Sequence, residues 1–446
     1  MAKLPTVAII GRPNTGKSTL FNRMVGRNKA IVSDIPGTTR DHVAHLIKGE
    51  EIDYLLVDTG GMGGGTEDKD FEDDVHSQSL LALEHADVII LTLNSREDLT
   101  SSDLDIIQTL RAGKKNHVPI ILTITKCDNP EETEEIIPQY YELGISDTII
   151  PISAPHRLGI DNLEEELEKM LISLNFTRSD DDGNESMIKV ALVGKPNVGK
   201  SSIINSFMSD TQRKKSPLLV SDVPGTTRDS TDTVIRFHDE EYLFMDTAGI
   251  KRRKQTKEDV EKFAYFRSVR SVEDCDICVL VLDGSVELGR QEKRIAGMAV
   301  EAGKGLIILV NKADLLSSEE KKHVLQVLHY TFQFCRFAPV LFCSANSKEG
   351  LLKLFEQIES VKRNRERHIP TAELHRWFRD AVLGQPMGSL AKCKHITQTD
   401  DLPPTFALFV KNPKKVQVCQ LRNLENNIRR TFAFDGSPIR WVTKQN

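Results

Sequence analysis

Largely apolar runs of strand length alternate with stretches of helical periodicity over the first 174 residues. Val7 to Ile10, Tyr54 to Val57, Val88 to Leu93, Ile120 to Ile124 and Ile149 to Ile152 read as strands buried on both faces. Leu20 to Val25, Leu104 to Arg111 and Leu163 to Leu174 repeat apolar residues at helical spacing. This alternation predicts an α/β fold, a mostly parallel sheet with helices on both faces and a ligand end at the carboxyl ends of its strands. The run Arg178 to Ser186 is polar and acidic without periodicity and reads as a linker.

The pattern then restarts. Val190 to Val193, Tyr242 to Met245, Ile277 to Leu282, Leu306 to Val310 and Val340 to Cys343 repeat the strand series, with helices at Ile203 to Met208, Val260 to Val269 and Leu351 to Val361. Matching landmarks are offset by roughly 185 to 190 residues, so a whole domain is duplicated in tandem. From about Lys362 the pattern changes. An amphipathic helix carries Leu374, Trp377, Phe378, Ala381 and Val382, a strand spans Phe406 to Val410, and a basic helix spans Val416 to Arg430. A closing strand pair, Thr431 to Phe434 and Ile439 to Val442, completes a small α+β module. The expected division is 1–174, linker 175–187, 188–361 and 362–446.

Composition adds little until charge is divided along the chain. The 446 residues are 39% hydrophobic and 28% charged, an ordinary globular balance. No apolar run reaches membrane-span length and Met1 to Pro5 holds no signal-peptide pattern, so a cytoplasmic protein is expected. Seven cysteines include one close pair, Cys275 and Cys278, in an apolar run with no second pair to complete a zinc site, which reads as core thiols. The net charge of -6 conceals a tail from Val361 with 16 Lys+Arg against 7 Asp+Glu, a balance of +9. A basic module on an acidic body suits a polyanionic partner, and equally a solvated surface.

The chemistry sits at the strand ends. Gly11-Arg12-Pro13-Asn14-Thr15-Gly16-Lys17-Ser18 recurs as Gly194-Lys195-Pro196-Asn197-Val198-Gly199-Lys200-Ser201. Both fit G-x-x-x-x-G-K-[ST] between a strand and a helix, the phosphate-binding P-loop context. Backbone N–H groups and the helix N-terminus attract phosphate, Lys17 and Lys200 neutralise it, and the hydroxyls of Ser18 and Ser201 suit Mg²⁺. Pro36-Gly37-Thr38-Thr39-Arg40-Asp41 recurs as Pro224 to Asp229, with Thr39 and Thr227 placed to close on Mg²⁺ and the γ-phosphate. Asp58-Thr59-Gly60-Gly61 recurs as Asp246-Thr247-Ala248-Gly249, where Asp58 and Asp246 can hold Mg²⁺ through water and the last glycine N–H can meet the γ-phosphate. Thr125-Lys126-Cys127-Asp128 corresponds to Asn311-Lys312-Ala313-Asp314. A carboxylate at Asp128 or Asp314 accepts from guanine N1–H and N2–H₂, which adenine cannot supply, so the expected nucleotides are GTP and GDP. Ser153-Ala154 and Ser344-Ala345 follow the last strand of each half, where an N–H can reach guanine O6.

These motifs, with the ending Leu424-Glu425-Asn426 through Phe434, Gly436 and Pro438-Ile439-Arg440, resemble the tandem GTPases called Der or EngA, bacterial ribosome-assembly factors related to Era. The resemblance covers nearly the whole chain. It implies two P-loop GTPase domains and a C-terminal KH-like domain, GTP hydrolysis coupled to maturation of the large (50S) ribosomal subunit, a tail facing ribosomal RNA, and action as a monomer. It also implies potassium stimulation with slow intrinsic turnover, Asn14 and Asn197 being the matching candidate K⁺ ligands; bracing of the loop is the other reading of these residues.

Some positions depart from the pattern. Thr125 stands where Asn is usual and is expected to lose an amide brace on the P-loop, altering guanine affinity or exchange. Met62 and Ile250 stand where Ras-like proteins carry a water-positioning Gln. A nucleotide-gated scaffold with little turnover is therefore a second reading, and a GTPase of tRNA modification a third, though no modification domain has room. Lys251-Arg252-Arg253-Lys254 is basic where the first half, Gly63 to Asp74, is glycine-rich and acidic, so the two switches differ in charge sign. No G-x-x-G follows Val361, and Gly384 to Gly388 has one residue too many, so the tail lacks the loop that clamps single strands in KH modules.

Overall fold

The computed structural model describes residues 4–27, 44–62, 79, 82–83, 86–113, 118–177, 187–211, 218–221, 233–238, 240–246, 267–286, 289–383, 388, 390, 393 and 395–445. They fall into two compact units, one holding the first half and the other holding the second half with the tail. Among them no helix is long and apolar enough to cross a membrane.

In the first unit the elements run β1 (Thr6–Ile10), α1 (Lys17–Arg27), β2 (Ala44–Lys48), β3 (Asp53–Asp58), β4 (Val88–Asn94), α2 (Ser101–Gly113), β5 (Ile120–Thr125), α3 (Pro130–Tyr141), β6 (Ile149–Pro151) and α4 (Ile160–Ser173). The sheet order is β2-β3-β1-β4-β5-β6, parallel except at the β2–β3 edge. Alternation along β1 divides the core. Val7 and Ile9 pack with Leu20, Phe21 and Met24 of α1 and Leu163 and Leu167 of α4, while Ala8 and Ile10 pack with Ile106, Ile107 and Leu110 of α2. A strand clothed by helices on both faces has no polar side, which is why its sequence reads as an unbroken apolar run.

The second unit repeats the scheme with β7 (Ile188–Val193), α5 (Lys200–Thr211), β8 (Leu218–Ser221), β9 (Thr233–Phe237), β10 (Glu240–Asp246), β11 (Ile277–Asp283), α6 (Arg290–Glu301), β12 (Gly305–Asn311), α7 (Ser318–Thr331), β13 (Val340–Phe342) and α8 (Leu351–Arg365). Its sheet order is β13-β12-β11-β7-β10-β9-β8. Phe355 of α8 centres one core face, its ring 5.0 Å from Phe207, 4.9 Å from Phe237 and 5.4 Å from Tyr242. Cys275 and Cys278 are buried free thiols, as read from the sequence. Most of the helix expected at Val260 to Val269 lies outside the described residues, and residues 267–274 are helical. Helix α8 runs through Val361 to Arg365, so the boundary expected at 361/362 falls within a helix.

The tail adds α9 (Thr371–Leu383), β14 (His395–Thr399), β15 (Thr405–Val410), α10 (Val418–Phe432) and β16 (Arg440–Gln445), with sheet order β14-β15-β16. One expectation is corrected. Thr431 and Phe432 finish α10 rather than opening a strand, and β16 pairs in parallel with β15, not with residues 431–434. The cause is burial: Phe434 drops into the tail core beside Phe406, and Arg429 reaches past the helix end to Phe434 O and Ser437 O, both at 2.8 Å.

The tail docks on the second half through backbone. Leu306 N–H at the start of β12 donates to Gly436 O at 2.8 Å, and Gly436 N–H donates to Phe337 O at 2.7 Å. Asn364 Nδ2 donates to Asp435 O at 2.9 Å, and Arg440 to Glu301 O at 3.2 Å. Gly436 has φ 75° and a Cβ there would lie 2.2 Å from Val361 Cγ2, so both conformation and space demand glycine. Gly436→Val is expected to cost about 1–3 kcal/mol in backbone strain alone. Amide exchange at Leu306 reads the change directly: its protection should fall in the variant while that of β4 in the first unit is unchanged.

Candidate functional site

Each nucleotide cradle begins where the central strand runs out. β1 ends at Ile10 and β7 at Val193, and six-residue loops lead into α1 and α5. A Cβ on Gly11 would lie 2.3 Å from Thr92 Oγ1, and one on Gly194 2.3 Å from Val281 O, so the loop leaves the sheet against its neighbouring strand with no room for a side chain. Asn14 and Asn197 are exposed with φ of 67° and 66°, a left-handed conformation in which Asn is enriched. Pro13 is exposed and Pro196 half-buried beside them. Thr15 is buried and bonded to Thr92 Oγ1 at 2.8 Å; Val198 fills the same place by packing.

Lys17 and Lys200 open their helices almost fully buried. Lys17 Nζ donates to Gly11 O at 2.7 Å and Arg12 O at 2.8 Å. Lys200 Nζ donates to Gly194 O and Lys195 O, both at 2.8 Å. A buried ammonium needs such acceptors, and meeting them curls each loop around the lysine head. Sequence reading missed the acids that hold the second loop residue. Arg12 donates to Asp103 Oδ2 at 3.0 Å and pairs with Glu97, whose carboxyl it holds below the usual range. Lys195 pairs at 2.7 Å with Glu292, a buried carboxylate that also takes the Gly289 N–H at 2.9 Å. All three acids lie far along the chain, where no spacing rule reaches.

At the end of β3, Asp58 Oδ2 accepts from Ser18 Oγ at 2.8 Å and Oδ1 from Gly60 N–H at 2.9 Å. Thr59 Oγ1 donates to Ile9 O at 2.8 Å and anchors the turn that holds Gly60, Gly61 and Met62. A Cβ on Gly60 would lie 2.7 Å from Lys17 Cε, so this glycine lets the turn reach the lysine. The hydroxyl and carboxylate expected at Mg²⁺ are thus together in the first half. In the second, Asp246 ends β10 paired with Leu192, as Asp58 pairs with Ile9. Thr39, Thr227, Thr247, Ala248, Gly249 and Ile250 lie outside the described residues, as do Lys251 to Lys254 and the acidic stretch 63–74.

The base-reading loops leave β5 and β12. Lys126 and Lys312 have φ of 62° and 61°, and Cys127 N–H to Ile152 O and Ala313 N–H to Cys343 O, both 3.0 Å, tie each loop to the residue just past the last strand. Asn311 Nδ2 donates to Val198 O at 2.8 Å while its Oδ1 accepts from Ala345 N–H at 3.1 Å, so one amide links the P-loop to the Ser344-Ala345 turn. Thr125 lacks the amide, as expected, yet a brace remains. Its Oγ1 lies 2.6 Å from Thr15 O and 3.0 Å from Leu93 O, so the P-loop brace survives as a hydroxyl. Among the described residues, the link Asn311 makes to the Ser344-Ala345 turn has no counterpart from Thr125 to the Ser153-Ala154 turn. There Arg23 donates to Ala154 O and Pro155 O, both at 2.7 Å, where the second half has Ser206 Oγ on Ala345 O at 2.7 Å. Asp128 is bonded to Ser153 Oγ and to Arg96, and these hold its carboxyl below the usual range, the Ser153 hydroxyl first. In the second half Lys312 pairs with Asp283 at 2.5 Å and Ser344 Oγ accepts from Ser347 N–H at 3.0 Å.

Because the Thr125 hydroxyl faces a buried carbonyl, Thr125→Val should leave Thr15 O short of a donor at a cost of about 1–3 kcal/mol. First-half guanine nucleotide binding is expected to weaken roughly tenfold on that scale, and Thr125→Asn should restore it. Titration of fluorescent GDP into the chain carrying Lys200→Ala isolates that half.

Comparison with known proteins agrees with this layout. The family model described as 50S ribosome-binding GTPase matches residues 6–126 and 189–312, and that described as KH-domain-like of EngA bacterial GTPase enzymes, C-terminal, matches residues 368–444. GTPase Der of Halalkalibacterium halodurans is 38% identical over 448 residues, covering 99% of both chains. GTPase Der of Geobacter metallireducens is 39% identical over 446 residues, covering 98% of each. Among solved structures, an Aquifex aeolicus Era variant bound to GDP·AlF4⁻ is 19% identical with a TM-score of 0.30, over 58% of this chain and 92% of that one. With two GTPase matches, an EngA-type tail and full-length relatives at this identity, the chain belongs to the Der family of GTPases, which bind and hydrolyse GTP.

Proposed function

We propose that the chain is a ribosome-assembly GTPase of the cytoplasm, acting as a monomer on the large ribosomal subunit and its rRNA, with two GTPase domains (1–174 and 188–361), a linker at 175–187 and the KH-like tail from 362. The observation that carries it is the pair of intact P-loops joined to an EngA-type tail in one chain, together with the large-subunit description of the matching family. The tail's excess of positive charge suits an RNA surface.

In this reading the N–H groups of residues 11–18 and 194–201 wrap the β- and γ-phosphates, and Lys17 and Lys200 turn from their loop carbonyls to the phosphate oxygens. Ser18, Asp58, Ser201 and Asp246, with Thr39 and Thr227, are the residues that hold Mg²⁺; the juxtaposed Ser18 hydroxyl and Asp58 carboxylate fit it. The metal, when bound, offsets charge on the transferring phosphoryl group. Asp128 and Asp314 read the guanine edge, and the Ala154 and Ala345 N–H groups meet O6. Met62 and Ile250 cannot orient water by hydrogen bonding, so intrinsic turnover is slow and hydrolysis draws on K⁺ at Asn14 and Asn197, both exposed in their loops.

Hydrolysis should be faster in K⁺ than in Na⁺ at equal ionic strength, and Asn197→Ala should remove the second half's share of that stimulation; equal rates in the two salts return both asparagines to bracing the loop. Co-sedimentation with separated ribosomal subunits under GTP, GDP and a non-hydrolysable analogue tests the assembly reading. Binding to the large subunit in one nucleotide state is expected, and neutralising Lys251 to Lys254 should lower the salt slope of that binding by about one unit per lost phosphate contact. No nucleotide-dependent binding to the large subunit would exclude it.

A further inference from the structure

We propose that Arg96 is a latch on the guanine-reading carboxylate of the first half: it competes with the base for Asp128 and so sets the affinity and base selectivity of that half alone. The proposal rests on the guanine reading of Asp128 given above.

Asp128 has two oxygens, and each already carries a donor: Ser153 Oγ on Oδ1 and the Arg96 guanidinium on Oδ2. The second half is built otherwise. β4 and β11 end at matching residues, Asn94 and Asp283. Asp283 takes Lys312 at 2.5 Å and the N–H and hydroxyl of Ser285 at 3.0 and 2.6 Å, and Ser285 stands where Arg96 does. Among the described residues Asp314 has no ion pair. The first half therefore carries an amide in place of the acid at the strand end and a cation in place of the serine two residues on. Asn94 accepts the Arg96 backbone N–H at 3.1 Å, as Asp283 accepts that of Ser285, but its neutral amide offers Arg96 no charge to pair with. With Asn94 neutral and Glu97 engaged by Arg12, Arg96 pairs with Asp128.

Guanine brings two donors, N1–H and N2–H₂, one for each oxygen of the carboxylate. The Ser153 hydroxyl is neutral and rotates aside, whereas Arg96 holds its oxygen by a charge-assisted bond. Its side chain is 63% exposed, so the pair is of the weak surface kind, worth up to about a fivefold change in affinity and screened by salt. Hypoxanthine lacks the exocyclic amine and needs one oxygen only, leaving the other to Arg96. The latch thus penalises guanine more than hypoxanthine.

The test uses the full chain carrying Asp314→Asn with its second half filled by xanthosine diphosphate, so that fluorescent GDP and IDP report the first half. Arg96→Ser, the residue of the second half, is expected to tighten GDP about two- to fivefold, to change IDP less, and to converge with the parent chain in high salt. GDP binding that is unchanged or weaker overturns the latch, as does an equal gain for GDP and IDP. Asp128→Asn in the same background checks the premise separately: full GDP binding there refutes the guanine reading of Asp128 whatever Arg96 does.

Discussion

A buried ammonium ion governs the shape of each nucleotide cradle. Lys17 and Lys200 open helices at the edge of a core that excludes water, and a charged group in such a place must be surrounded by acceptors. The acceptors are the carbonyls of the first two loop residues, so the chain leaving the central strand has to double back over the lysine before it enters the helix. Everything nearby accommodates that loop. The neighbouring strand presses against Gly11 and Gly194, the Asp-x-x-Gly turn closes on Lys17 through Gly60, and Thr125 or Asn311 bonds the loop's far side.

The strands, the duplication and the nucleotide motifs were legible in the sequence because each is local: a core strand is an apolar run, and a P-loop is eight consecutive residues. Strands β2, β8, β9 and β14 were not read, since polar residues interrupt or flank their short apolar runs. The end of α10 was misread because Thr431 and Phe432 have good strand propensity, and only the distant contacts of Arg429 and Phe434 decide against it. Asp103, Glu97, Glu292 and Arg23 were invisible for a different reason. They lie tens of residues from the loops they hold, and nothing in their own neighbourhoods marks them. The contrast of Asn94 with Asp283 was within reach, by laying the two halves side by side beyond the motifs.

The two halves solve one problem with different atoms. An amide in the second half joins the P-loop, the base-reading loop and the Ser344-Ala345 turn in one chain of bonds. A hydroxyl in the first half reaches the P-loop and the end of β4, and an arginine from α1 steadies the turn instead. Coupling between phosphate and base ends is therefore direct in one half and divided in the other.

Strand β12 is bonded at its first residues to the turn at Gly436 and carries Asn311 at its last. That continuity bears on inheritance. After a domain duplicates, its copies are usually free to drift apart, but the second copy here has mortgaged one end of a core strand to a different module. Its sequence at 303–306, 337 and 361 answers to the tail as well as to its own core. Exchange of halves between relatives would thus succeed as a cassette of second half plus tail, and a bare second half would be a poor unit of evolution.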